Sequence, residues 1–187
     1  MLITLIVLIV VVFAIIGFVI SLYNALVRAR QTAEEAWSGI DVQLKRRADL
    51  IPNLVETVKG YASHERGTLE EVVEKRNKAQ SVASGDVVGR AQAEGELSQA
   101  LGRLFALSEA YPDLKANQNF ADLQASLEKT ESEIQMARRY YNGAARDLNI
   151  KVESFPSNLI AGQFGFQKRD YFEIEDAADR AVPDVSF

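Results

Sequence analysis

Hydrophobic residues fall in two patterns along this chain. Residues 1–23, MLITLIVLIVVVFAIIGFVISLY, are apolar all round. Before Tyr23 only Thr4 and Ser21 are polar, and none of these residues is charged. At about 1.5 Å of rise per residue, roughly 20 such residues cross a 30 Å hydrocarbon core. In lipid every backbone group must bond within the segment, so a helix forms there despite its many β-branched residues. A cleaved signal peptide would require a basic leader, a shorter apolar core and a small-x-small cleavage site. No Lys or Arg precedes this core, and residues 1–23 are therefore expected to be a transmembrane anchor.

Beyond residue 23 the apolar positions become periodic. Trp37, Ile40, Leu44, Ile51, Leu54, Val58, Tyr61, Leu69, Val72 and Ala79 recur about every 3.5 residues, with Arg47, Glu65 and Arg76 on the same seam. That spacing predicts a helix packed along its length on its neighbours. If continuous from 24 to 80 it would be about 85 Å long. Pro52 removes one internal hydrogen bond and predicts a kink near Leu50, and Gly60 and Gly67 allow a pause at residues 63–67. SVASGD (81–86) is a turn whose Asp86 can cap the next helix. That helix is expected over 87–111, with Leu97, Leu101, Leu104, Leu107 and Tyr111 on one face and Pro112 ending it. A third starts after Asn119 as N-cap, on a seam of Phe120, Leu123, Leu127, Thr130, Ile134, Ala137, Tyr141, Ala144 and Leu148. Short connections between helices favour antiparallel neighbours. The expected fold is all-α: the anchor (1–23), an elongated antiparallel bundle of long heptad-patterned helices (24–150), and an irregular C-terminal cap and tail of the same domain (151–187). The tail after residue 170 mixes a polar helical piece with an extended VPDVSF end.

Charge and composition narrow the function. The chain of 187 residues carries a net charge of −5, with no Asp, Glu, Lys or Arg before Arg28. An acidic domain without clustered Lys and Arg does not attract nucleic acid. There is no Cys, which excludes disulfides, thiolate metal sites and a cysteine nucleophile. His64 is the single histidine. It has no second imidazole with which to share a metal, and a di-iron bundle needs Glu-x-x-His pairs from facing helices. Glu70, Glu71 and Glu74 form a solvated face, and no Gly-rich phosphate loop is present. The expectation is a protein with no catalytic residue, cofactor, metal or small-molecule substrate.

Three groups of residues stand out. Gly17, Ser21, Ala25, Ala29 and Ala33 recur every fourth residue, a spacing that lets helix backbones approach closely and makes a self-association stripe; the competing reading is chance in an alanine-rich chain. Asp49 and Asn53 flank Pro52, while Asn142, Arg146, Asp147 and Asn149 end the third helical pattern. Such groups either satisfy backbone freed at a kink and a helix end or recognise a partner. Finally, FPSNLIAGQFGF (155–166) sets Phe155, Phe164 and Phe166 among Gly and Pro, suggesting a packed aromatic cap with a short helix at 157–162.

These stretches are specific enough to compare. RRADLIPNLVETVKGYASHE (46–65), YYNGAARDLN (140–149), FPSNLIAGQFGF and the ending YFE…VPDVSF together resemble the LemA family of bacterial membrane proteins over almost the whole chain. Ala48 is a minor departure, where relatives often carry a larger residue. The resemblance implies an N-terminal anchor with a helical bundle and a bacterial source, the short N-terminus facing outward and the bundle in the cytoplasm. It carries no reaction, substrate or cofactor. Arg28 and Arg30 after the span, followed by Lys45, Arg46 and Arg47, independently favour a cytoplasmic bundle.

The leading expectation is a non-enzymatic scaffold or adaptor, single-pass in the bacterial inner membrane. It would touch lipid through residues 1–23, form a homo-oligomer and present its bundle to an unidentified protein partner. The alternatives are membrane shaping or organelle and envelope biogenesis, and an accessory subunit of a membrane protease or signalling system.

Overall fold

A computed structural model describes residues 1–62 and 64–173. Among these the fold is all-α: α1 (Leu2–Lys59), α2 (Arg66–Ser81), α3 (Val87–Ser108), α4 (Pro112–Lys115), α5 (Gln118–Glu153) and α6 (Ser157–Phe164). The expected extended VPDVSF end lies outside the described residues. The described residues divide into two compact units, 1–38 with 139–171 and 39–138 with 172–173. Both α1 and α5 supply residues to each unit.

The second unit is a four-helix bundle. Its core takes Ile51, Leu54 and Val58 from α1, Leu69, Val72 and Ala79 from α2, Leu97, Leu101 and Leu104 from α3, and Phe120 and Leu127 from α5, with Leu114 of α4 closing one end. Burying each large apolar side chain contributes about 1.5–3 kcal/mol. Direction follows from the ion pairs. Glu71 of α2 meets Arg103 of α3, and Lys75 and Lys78 meet Glu96, so α2 and α3 run antiparallel. Asp41 and Arg47 of α1 meet Arg90 and Glu94 of α3, making α1 and α3 parallel. Arg46 meets Glu133, and Tyr61 meets Asn117 beside the start of α5. The path is therefore up-down-up-down, as short loops favour.

Several boundaries differ from the sequence expectation. The seam bends inward at Ala62, which is buried, rather than at Tyr61, which is 43% exposed. Pro112 opens α4 instead of merely ending α3: at N1 its missing N–H costs nothing and its fixed φ suits a helix. Asn117, not Asn119, caps α5, its Oδ1 accepting from the Phe120 N–H at 3.0 Å. Asp86 caps α3 as expected, accepting from Gly89 N–H at 2.8 Å; its carboxylate sits so close that a Cβ at position 89 would collide with it.

In the first unit, α1 and α5 are antiparallel. Trp37 packs against Tyr141 with ring centres 5.3 Å apart and ring planes tilted by 58°. Leu26 shares a small core with Ala161 and Phe166, against which Val27, Val152 and Ile160 pack. α5 extends to Glu153, one turn past the point where the helical pattern fades. Residues 166–171 then return along α1 without regular secondary structure.

Candidate functional site

The aromatic segment sits where the apolar run of α1 ends. The 155–156 peptide bond, Phe155 to Pro156, is cis. α6 is longer than the expected 157–162 and stops at Gly165, whose φ of 71° is the left-handed cap conformation that glycine adopts without strain. Phe164 meets Tyr23 edge-on at 4.9 Å and Phe166 meets it at 5.8 Å. The guanidinium of Arg30 lies 5.2 Å over the Phe166 ring, in cation–π geometry. The three phenylalanines do not share one role. Phe166 is buried, whereas Phe155 and Phe164 stay 79% and 57% exposed.

The strap that follows is held by side chains acting on its backbone. Asn149 is buried and pairs with Arg169 twice: its Nδ2 donates to the Arg169 carbonyl at 2.9 Å and its Oδ1 accepts from the Arg169 N–H at 2.8 Å. The Tyr141 hydroxyl donates to the Asp170 carbonyl at 2.8 Å. Burial raises the Tyr141 pKa, against a lowering by Arg169 and with a smaller raise from Asp170. Arg169 also reaches Glu34 at 3.1 Å, and Lys168, its pKa raised by the hydrogen bond to Glu153, ties the strap to the end of α5.

The polar residues singled out in the sequence fall in different units. Asp49 and Asn53 are exposed and belong to the second unit, and neither is the group that repairs the backbone at Pro52. Pro52 leaves the Ala48 carbonyl without its intrahelical donor. Arg76 of α2 supplies one, Nε to oxygen at 2.8 Å. The second group does not end α5, which continues past it to Glu153. Arg146 is exposed and faces Asp147 at 4.0 Å, Asn142 is half-buried, and Asn149 is turned into the strap.

The small-residue stripe is divided too. Ala29 and Ala33 are buried by the chain itself, Ala25 is half-buried, and Gly17 and Ser21 are exposed. Residues 2–16 of α1 are exposed throughout.

The seam pattern places Arg47 on a buried face but does not show the ionic cluster around it. Arg47 is 1% exposed. It bonds Glu94 Oε2 at 2.6 Å, Glu131 Oε2 at 2.6 Å and Ser98 Oγ at 2.8 Å. Glu94 is buried and also accepts from Arg90 at 3.0 Å, and Arg90 reaches Asp41. The available signal was an arginine between Leu44 and Ile51 on a buried face, which demands acidic partners on facing helices. Its carboxylates are taken up by guanidinium groups. Among the described residues no group of three or more His, Asp or Glu could hold a metal ion, and His64 has no acidic or imidazole cluster around it that could do so.

Residues 36–187 match the LemA family. Among similar proteins, Magnetosome protein MamQ 2 of Paramagnetospirillum magneticum is 26% identical, covering 91% of this chain and 73% of its own length. Magnetosome protein MamQ of Magnetospirillum gryphiswaldense is 25% identical over the same shares. Protein LemA of Metamycoplasma hominis is 27% identical over 81% of this chain and 66% of its own. The family match takes in the Arg47 cluster, the Asn149 clamp and the aromatic segment alike, and by it the chain belongs to the LemA family.

Proposed function

We propose that this protein is a non-enzymatic, membrane-anchored scaffold that self-associates and presents its helical bundle to a protein partner. One observation carries the reading: a bare, charge-free helical stretch long enough to span a bilayer continues without interruption into a helix whose later residues are buried in a packed bundle. Inside that bundle Arg47, Glu94, Arg90 and Ser98 bond one another and Arg76 bonds the backbone, which suits them to structure rather than chemistry. Arg28 and Arg30 directly after the span support an inner-membrane protein with its N-terminus outside and its bundle in the cytoplasm. Self-association would use the exposed part of the stripe, Gly17 and Ser21, in a symmetric oligomer. The test is the protein mass of the detergent-solubilised full chain by light scattering, with cross-linking of Ser21→Cys. Two or more chains per particle and a cross-linked product are expected. A clean monomer with no product at Ser21 would remove the self-associating scaffold.

A second reading, a part in organelle biogenesis, is favoured by the magnetosome relatives, which are similar along nine-tenths of this chain. It predicts that purified full-length protein changes the shape or size of vesicles into which it is reconstituted. Unaltered vesicles at high protein density would count against it.

A further inference from the structure

We propose that α6 is a second membrane contact, seated in the lipid interface at the foot of the anchor, with the exposed side chains of Phe155, Leu159 and Phe164 facing lipid. The inference rests on residues 1–23 spanning a bilayer. Residues 154–167 form the longest stretch without a charged side chain after residue 27. Within it Phe155, Leu159 and Phe164 are 79%, 62% and 57% exposed, an unusual arrangement for water-facing residues next to a packed core.

Position decides the occupant. Phe164 packs its edge against Tyr23, the last residue of the apolar run, so the exposed patch is held at the level where the span leaves the hydrocarbon. Tyrosine and other aromatic rings concentrate at that level of a bilayer. The surrounding chain makes α6 the turning point of its unit. Before it, α5 descends from Tyr141 beside Trp37 to Val152 beside Leu26. After it, the strap climbs again, Phe166 under Arg30, Arg169 at Glu34 and Asp170 at Tyr141. Glu153 and Lys168, an ion pair at 2.7 Å, close the two ends of the stretch, and the cations beside it, Arg28 and Arg30 on α1 with Lys151 and Lys168, suit a headgroup layer, where long basic side chains keep their heads in water while their stems cover apolar surface. Lipid therefore fits this face better than a soluble partner: α6 lies in the plane of the interface, about 5–10 Å into the headgroup and acyl boundary. The anchor would then meet the bilayer at two points and hold the first unit at a fixed orientation to it.

The absence of native cysteine makes the test clean. Full-length protein carrying Leu159→Cys, or Phe155→Cys as an independent position, is labelled with an environment-sensitive fluorophore. It is then reconstituted in phosphatidylcholine–phosphatidylglycerol vesicles with or without spin-labelled lipid. Phe13→Cys reports the span, and Ser38→Cys reports a point about 22 Å beyond Tyr23 along α1. Positions 159 and 155 are both exposed, and helicity by circular dichroism verifies the fold. The expected result is a blue-shifted emission at 159 and 155 that shallow spin-labelled lipid quenches, with position 38 unquenched and position 13 quenched by deeper labels. Emission at 159 and 155 like that at 38, with 13 quenched, overturns the α6 contact and leaves the anchor standing. Blue-shifted but unquenched emission at 159 and 155 means a protein covers the face, and overturns it too. An unquenched position 13 overturns the spanning anchor, and the α6 contact with it.

Discussion

The two units share the same two long helices, α1 and α5, and hold together by different means. In residues 39–138 the work falls to repeated apolar side chains, leucines above all, with the Arg47 cluster buried among them. In residues 1–38 with 139–171 the apolar core is small, with Leu26, Ala161 and Phe166 at its centre, and the decisive contacts are side chains bonding to the backbone of the strap. The difference follows from what is being packed. A helix satisfies its own backbone and needs only a complementary face. The strap has no regular structure, so its N–H and C=O groups need partners from elsewhere, and Asn149 and Tyr141 supply them. The motifs YYNGAARDLN and FPSNLIAGQFGF fall in the unit held by these side-chain-to-backbone contacts.

The sharpest way to break this contrast is Arg47→Ala. Removing one member of a buried ionic group leaves Glu94 buried without its closest partner, a loss of about 3–5 kcal/mol. Chemical denaturation followed by helicity should show it, while Arg146→Ala, an exposed arginine, should stay within about 0.5 kcal/mol. If a buried cation chiefly fixes register, replacing Arg47 and Glu94 together by Met and Leu should recover most of the loss.

Asn149→Ala is the matching break in the other unit. It strips the Arg169 N–H and C=O of their partners at a cost of about 1–3 kcal/mol. Hydrogen exchange should quicken at the Arg169 amide and its strap neighbours, with little change at the amides of Leu54, Leu97 and Leu104 in the bundle core. Equal quickening in both places would show that the units do not open separately.

The helices and most of their faces were legible because periodicity reports helix-on-helix packing directly: Ile40, Leu44, Ile51, Ile134 and Leu148 are buried where the seam puts them. Asp86 and the 81–86 turn were legible from local chemistry. What periodicity does not carry is which distant residue answers a local need. Pro52 announced a carbonyl without a donor, and the nearby Asp49 and Asn53 were natural candidates, but the donor comes from Arg76, on the next helix. Asn149 likewise lies on a helix and acts on a segment 20 positions away. The stripe from Gly17 to Ala33 shows the same limit. Its spacing is regular, yet Ala29 and Ala33 are covered by the chain's own packing.

The Pro52 arrangement yields a smaller, sharper effect. Arg76→Ala should cost about 1–2 kcal/mol by leaving the Ala48 carbonyl without its donor. In a Pro52→Ala background the new N–H at position 52 can bond that carbonyl within α1, so the same Arg76 change should cost less. A double-mutant cycle by urea denaturation should give a coupling of about 1 kcal/mol. Additive effects would mean that the Arg76 contact contributes through packing alone.

The smallest effects are expected at the edges of the pH range, one for each unit. Tyr141 has its pKa raised by burial, so its phenol contributes stability that is fully present below the ordinary tyrosine value near 10 and is lost as pH rises through the higher folded value. Trp37, the chain's one tryptophan, packs beside it and reports the loss by fluorescence. Tyr141→Phe removes the titrating hydroxyl and should flatten that alkaline limb, though it lowers stability at neutral pH by the lost bond to Asp170. Glu96 works in the opposite direction. Hydrogen bonds first from Lys78 and then from Lys75 lower its pKa, so its contribution is present above the ordinary carboxylate range and is lost as pH falls through the lower folded value. Glu96→Gln should therefore flatten the acid limb of thermal melts followed by circular dichroism and leave the alkaline response of Trp37 in place. A single variant that flattened both limbs would contradict the assignment of the two titrations to separate units.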